Sequence, residues 1–181
     1  MINIRIATLA DAQILALLGR VTYKESHGDF IENKDSLLNY QNDAFSIAKI
    51  KAELQDPAAL FYIAYVNGLP VGYSKLILGA KKKLVLSKNT CSLERIYVLN
   101  DFIPMKIGRD LLNISLDKAA ELEFDTIWLS VYFKNERAIN FYKKNDFEAI
   151  GFTDFILDGT NYNNILFLKK LQENLPSDKT K

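Results

Sequence analysis

The chain has 181 residues, 49% apolar and 25% charged, which suits one ordinary domain with a full core. Its 23 basic and 22 acidic residues leave a net charge of +1, so neither nucleic acid nor an anionic membrane is expected as a partner, because their binders carry a basic face. Cys91 and His27 are the single cysteine and histidine. A disulfide framework is therefore excluded within the chain, and no metal is expected, because three or four ligands have no clustered source. Cys91 reads as a small buried hydrophobe in a strand.

Ile2, Ile4 and Ile6 alternate with Asn3 and Arg5, the pattern of a strand with one buried face. No signal-peptide block precedes it and no apolar run approaches the ~20 residues of a membrane span. A cytoplasmic protein is the expectation. Thr8 and Asp11 then form a capping-box start for a first helix reaching about Glu25. The stretch from His27 to Asp43 is the least regular and holds a short helix from Asp35, and a further helix runs from Ser46 to Gln55, ended by Asp56-Pro57. Leu60 to Val66 and Val71 to Leu78 read as a hairpin across Asn67-Gly68, both residues tolerating positive φ. Lys81-Lys82-Lys83 reads as an exposed turn.

Leu93 to Leu99 reads as a strand and Ile107 opens a helix ending near Phe124. Between them lie Pro104 and Gly108, so the helix start presents main-chain N–H groups without intrahelical partners, an arrangement suited to an anion. Ile127 to Val131 is a short apolar run expected to be buried on both faces. Asn135 is placed to cap a helix carrying Phe141 and Tyr142, and Phe147 to Leu157 with Tyr162 to Leu168 forms a last strand pair across Asp158-Gly159-Thr160-Asn161. The order predicts a single mixed α/β domain over residues 1–172, with a parallel strand–helix–strand crossover in its middle. Residues 173–181 form a polar tail.

The residues offer no Walker-type phosphate loop, because Lys106-Ile107-Gly108-Arg109 lacks its glycine spacing and Lys-Ser/Thr pair. A nucleophile–base triad would depend on His27 alone. Three pieces carry another signal: Leu93-Glu94-Arg95-Ile96-Tyr97-Val98-Leu99, then Lys106-Ile107-Gly108-Arg109-Asp110-Leu111-Leu112, and finally Asn135-Glu136-Arg137-Ala138-Ile139-Asn140-Phe141-Tyr142-Lys143-Lys144-Asn145-Asp146-Phe147. In this order, with Ile127 to Val131 between the last two, they resemble the GNAT superfamily of acetyl-coenzyme-A-dependent N-acetyltransferases. The likeness covers about residues 2–170 and is greatest to the bacterial spermidine/spermine branch.

The resemblance implies a twisted, mostly antiparallel sheet of about seven strands with helices on both faces. It implies acetyl-CoA as co-substrate and a small-molecule amine as acceptor, a polyamine first. Another small amine, a protein N-terminus, or a coenzyme-binding sensory module without turnover are the alternatives. It also admits a homodimer. Ile96, Tyr97 and Val98 would pair with the pantetheine arm, and a main-chain N–H near Val98 would polarise the acetyl carbonyl. Lys106, Ile107, Gly108 and Arg109 would hold the pyrophosphate, with Asn135 and Lys144 as further coenzyme contacts. Tyr142 would be the general acid, a phenol that stays protonated at neutral pH, and Glu94 the base. Asp29, Glu32 and Asp35 would line an acidic recess for a polyamine, with Tyr23 and His27 shaping its wall. Two positions depart from the family pattern: Ile103 stands where a Gln or Arg is usual, and Lys106 where a Gly is usual. The Lys is a feature shared with the polyamine branch. The cradle tolerates these changes if its main chain keeps negative φ, and Lys106 can add a charge-assisted phosphate contact. Ile103 brings no polar group, so weakened coenzyme binding is expected.

Overall fold

The alternating first residues form β1 (Ile2–Ile6), an edge strand paired antiparallel with β2 (Ala59–Val66), in a computed structural model that describes residues 1–171. The polar tail expected over 173–181 lies outside the described residues. With a neighbour on one edge only, β1 buries less than its pattern predicts. Ile4 packs against the core, whereas Ile2 and Ile6 are exposed.

The capping box is in place. The Asp11 carboxylate accepts the Thr8 N–H at 2.8 Å and a bidentate pair from Arg5 at 2.8 and 2.6 Å, so one side chain both starts α1 (Ala12–His27) and ties it to β1. Asn33 caps α2 (Lys34–Ala44) and Ser46 caps α3 (Ile47–Gln55) through main-chain N–H groups of their first turns.

Along β2 the pleat sends Phe61 and Ile63 towards the cluster built on α1, α2 and α3, and Tyr62, Ala64 and Val66 to the opposite face. Asn67 and Gly68, at φ 50° and 83°, turn the chain into β3 (Leu69–Ile77). A Cβ at Gly72 would stand 2.7 Å from the Tyr97 carbonyl oxygen, so the approach of β3 to β4 (Thr90–Val98) requires glycine there. A 3-10 segment (Asn100–Met105) leads into α4 (Ile107–Glu121), followed by β5 (Thr126–Tyr132) and α5 (Glu136–Lys143).

The last part of the chain differs from the expected single hairpin. Asp158 and Gly159, at φ 45° and 77°, close only a two-stranded ribbon, β7 (Ile156–Leu157) with β8 (Thr160–Asn161). Such a tight turn commits its flanking residues to each other at once. The sheet pair forms further out, between β6 (Glu148–Thr153) and β9 (Asn164–Lys170).

The sheet runs β1-β2-β3-β4-β5-β9-β6, and every neighbouring pair is antiparallel except β4 with β5. Helices α1 to α3 cover one face and α4 and α5 the other. This is the mixed fold, with helices on both faces, that the resemblance implies. The parallel contact is short: Thr90–Ser92 meets Thr126–Trp128, and beyond it the two strands separate.

Candidate active site

The separation of β4 from β5 leaves two strand edges with unpaired main-chain groups in the middle of the molecule. Their orientation follows from alternation. The Leu99 N–H donates to the Val71 carbonyl on β3 at 2.9 Å, and the Tyr97 carbonyl faces Gly72 on the same side. The N–H and C=O groups of Ile96 and Val98 therefore turn the other way, into the gap. Of the three residues expected to pair with the pantetheine arm, Ile96 and Val98 offer their main chain. Tyr97 does not, because its main chain belongs to the β3 ladder; its ring lines the cavity instead.

A cavity of about 660 Å³ runs through this gap. One end is lined by Ile103, Lys106, Gly108, Arg109, Asn135, Arg137, Phe141, Tyr142 and Lys144, which brings together most of the expected coenzyme-binding residues. Ile107 is the exception in side chain: it is fully buried and anchors the start of α4 in the core. Lys106 corrects the sequence reading. Its φ of 63° and ψ of 17° are left-handed, because it ends the 3-10 segment and opens α4 in the same residue. That conformation favours glycine, the residue the family pattern places there.

The donors at this helix start are fewer than expected. The Arg109 N–H is taken by the Lys106 carbonyl at 2.9 Å, so Arg109 contributes its guanidinium. Among the described residues, no carbonyl receives the N–H groups of Ile107 and Gly108, and α4 is long enough for its dipole to add to them. Gly108 has ordinary helical geometry, and a Cβ there would come no closer than 3.9 Å to Val98. Neither backbone nor packing demands glycine, but a side chain would project into the space that the cavity needs. With Lys106, Arg109, Arg137 and Lys144 around the mouth, these features fit a phosphorylated coenzyme.

The Asn135 side-chain oxygen accepts the Ala138 N–H at 3.1 Å, which leaves its amide NH₂ as a donor at the cavity wall. Tyr142, two turns further along α5, is held by the rings of Phe141, Phe147 and Phe167 at 5.1, 5.5 and 6.4 Å. Burial pushes its phenol above the ordinary value, so it carries its proton throughout the neutral range.

Glu94 has a placement that no single-strand reading contains. Lys75 and Leu76 on β3 pair with Arg95 and Leu93, so Glu94 is the extra residue of a bulge, a device that re-aims a side chain. Its carboxylate reaches the cavity wall and lies 2.8 Å from Lys75 Nζ and 3.6 Å from Arg95. Both cations are shared with Glu53, at 3.0 and 3.1 Å. Lys75 and Arg95 are buried, while the Glu94 side chain is 40% exposed.

The other end of the cavity corrects the expected acidic recess. Asp29, Glu32 and Asp35 are exposed and stand outside it, because their helix ends and loop face solvent. Aromatic side chains take their place: Tyr23, Phe30, Tyr40, Tyr132, Phe155 and Tyr162. His27 is there too, in the last turn of α1, stacked on Tyr23 at 4.4 Å with its Nδ1 2.7 Å from Ser26 Oγ. Burial lowers its pKa to about 4, so it is neutral. Sequence reasoning missed Arg137 and every aromatic residue here except Tyr23. They come from helices, the loop after α1, a strand and the terminal ribbon segment, and the high aromatic content was their one trace in the sequence.

The comparisons agree with this geometry. A family model described as Acetyltransferase (GNAT) family matches residues 23–147. An uncharacterized N-acetyltransferase of Lactobacillus delbrueckii subsp. lactis is 25% identical over 154 residues, covering 85% of this chain and 88% of the relative. One of Mycobacterium tuberculosis is 28% identical over 137 residues, covering 76% and 83%. The crystal structure of the PaiA N-acetyltransferase from Thermoplasma acidophilum, in complex with coenzyme A, superposes with a TM-score of 0.73 at 22% identity, covering 94% of this chain and 99% of that one. With the family model spanning more than half of its length, the chain belongs to the acetyltransferase (GNAT) family and is an acetyl-CoA-dependent N-acetyltransferase.

Proposed function

We propose that the chain moves an acetyl group from acetyl-CoA directly to a primary amine that enters from the aromatic end of the cavity. One observation carries this reading: a single cavity joins a cation-lined helix start to an aromatic recess through the gap between β4 and β5. Bound acetyl-CoA supplies a thioester whose carbonyl carbon a neutral amine can attack, forming C–N as C–S breaks. The N–H groups of Ile107 and Gly108, with Lys106, Arg109 and Lys144, hold the phosphates, and the Asn135 amide adds a donor. Ile96 and Val98 align the pantetheine arm as an added strand, with the Val98 N–H directed at the carbonyl oxygen where charge develops. Glu94 takes the ammonium proton, directly or through water, and passes it to solvent. The second proton, shed by the nitrogen after attack, leaves by the same route and makes good the one that Tyr142 donates. Tyr142 gives its proton to the departing sulfur.

No residue of the chain is asked to form a covalent intermediate. A polyamine, the acceptor that the resemblance put first, has in its favour the Glu94 carboxylate on the wall and rings able to face a cation. A protein N-terminus is the same chemistry on a larger acceptor. A cytoplasmic setting, expected from the sequence, suits such a reaction; among the described residues no helix is long and apolar enough to cross a membrane. Free-thiol release from acetyl-CoA with a panel of amines tests the reading. Amine-dependent release supports it, and coenzyme binding with no acceleration by any amine leaves a sensory module instead.

A further inference from the structure

The recess at the acceptor end is built from rings in contact with one another. Tyr23 lies 4.8 Å from Tyr40, and Tyr40 lies 5.8 Å from Phe155. Phe30 lies 5.2 Å from Tyr132, which lies 5.8 Å from Tyr162. All six line the cavity, and they come from α1, α2, β5, the ribbon segment and the loop after α1. Among the described residues Glu94 is the one carboxylate that lines the cavity, and two cations already share it. Asp29 and Glu32, between α1 and α2, and Asp35, in the first turn of α2, face solvent.

Each ammonium group brought into a recess of this kind loses hydration that only a carboxylate or a polar network replaces well. One exposed carboxylate can meet one ammonium. A polyamine would bury further charges among neutral rings, since burial keeps the Tyr23 and Tyr40 phenols protonated and His27 uncharged. A flat apolar body gains the reverse: ring–ring contacts and removal of aromatic surface from water.

Resting on the proposed amine acetylation, we infer that the acceptor is an arylalkyl monoamine, an amine joined to an aromatic ring by a short alkyl chain, with its nitrogen at Glu94 and its ring among Tyr23, Tyr40, Phe155 and Tyr162. The amine is the acetylated atom, and the aromatic wall sets specificity.

The test compares kcat/KM for 2-phenylethylamine, tryptamine, propylamine and spermidine. The arylalkylamines are expected to exceed propylamine and spermidine by on the order of 10²-fold, the scale set by burying one ring. Phe155→Ala and Tyr162→Ala, each half-buried in the protein, should each narrow the preference over propylamine about 10-fold through KM. An unchanged KM for acetyl-CoA would show that each variant is folded. Preference for spermidine, or an aryl preference that neither variant narrows, overturns the inference while leaving amine acetylation standing. Absence of turnover with every amine overturns the proposed function. Calorimetry with 2-phenylethylamine then decides the recess separately: binding that Phe155→Ala weakens supports an aromatic acceptor, and no binding overturns it.

Discussion

Glu94 Oε2 lies 2.8 Å from Lys75 Nζ, across the bulge that takes Glu94 out of register with β3. Lys75 keeps a second partner, Glu53 at 3.0 Å, so neutralising Glu94 does not leave a buried ammonium alone. Glu94→Gln should therefore unfold within a few degrees of wild type while kcat/KM for the amine falls about 10²-fold at neutral pH, the usual scale of general-base catalysis. The deficit should shrink as pH rises, because more acceptor arrives already deprotonated. A rate profile across pH 6 to 10 measures this, and a pH-independent deficit would assign Glu94 to charge pairing alone.

Gly108 separates folding from binding. Its helical geometry and its 3.9 Å clearance to Val98 mean that Gly108→Ala should raise stability by up to about 1 kcal/mol. The same methyl group enters the phosphate cradle, and coenzyme affinity should drop roughly 10-fold. Thermal melting and calorimetry with coenzyme A read the two effects, whose opposite signs mark a glycine kept for a ligand.

Lys106 should behave in the contrary sense. Its left-handed backbone costs about 1 kcal/mol relative to glycine. Lys106→Gly should recover that stability, whereas Lys106→Ala should not. Both lose the ammonium at the cavity mouth and should weaken coenzyme binding by a similar factor, about 5-fold for an exposed charge. Melting temperatures of the two variants, side by side, give the strain directly.

Tyr142→Phe should lower kcat by ~10²-fold or more with little change in coenzyme affinity. The ring and its contacts with Phe147 and Phe167 survive the substitution, so stability should change little. Because burial raises the phenol's pKa, wild-type kcat should show no loss of this acid on the alkaline side up to pH 10. Unchanged turnover in the variant would make Tyr142 a packing residue.

These experiments divide along the line between what one stretch of chain specifies and what several stretches assemble. Asp11, Asn33, Ser46 and Asn135 each act within one turn of a helix, so the sequence alone identified Thr8–Asp11, Ser46 and Asn135 as helix starts. Asn67-Gly68 is equally local. The bulge at Glu94 exists only in the register of two strands, and single-strand alternation is blind to it. The left-handed angle at Lys106 arises where a 3-10 segment meets a helix, a junction that no propensity marks. The aromatic recess needs residues as far apart as Tyr23 and Tyr162, whose proximity belongs to the fold. The acidic recess failed for the same reason: the spacing of Asp29, Glu32 and Asp35 says nothing about which way that loop faces.

His27 links the recess to acid stability. Burial, with Arg137 adding in the same direction, lowers its pKa to about 4, against ~6.5 in an unfolded chain. Above pH 6.5 both states hold a neutral imidazole and the difference contributes nothing further. Between pH 6.5 and 4 the unfolded chain binds a proton that the folded chain does not, so stability falls as pH falls, by up to about 3 kcal/mol. His27→Phe, which keeps a ring against Tyr23, should flatten urea-midpoint stability over that window. Asp11, held below the usual carboxylate range mainly by its hydrogen bonds from Arg5, acts lower, as pH drops through and beneath the ordinary carboxylate value.

The central claim is direct transfer from coenzyme to amine through the gap between β4 and β5. Its most direct measurement is a single turnover with protein in excess over acetyl-CoA, quenched at intervals and read by mass spectrometry with and without 2-phenylethylamine. The account predicts thiol release only when amine is present, one acetylated amine per thiol, and protein that never carries an acetyl group. Stoichiometric thiol release before amine is added, with the acetyl group on the protein, would contradict it.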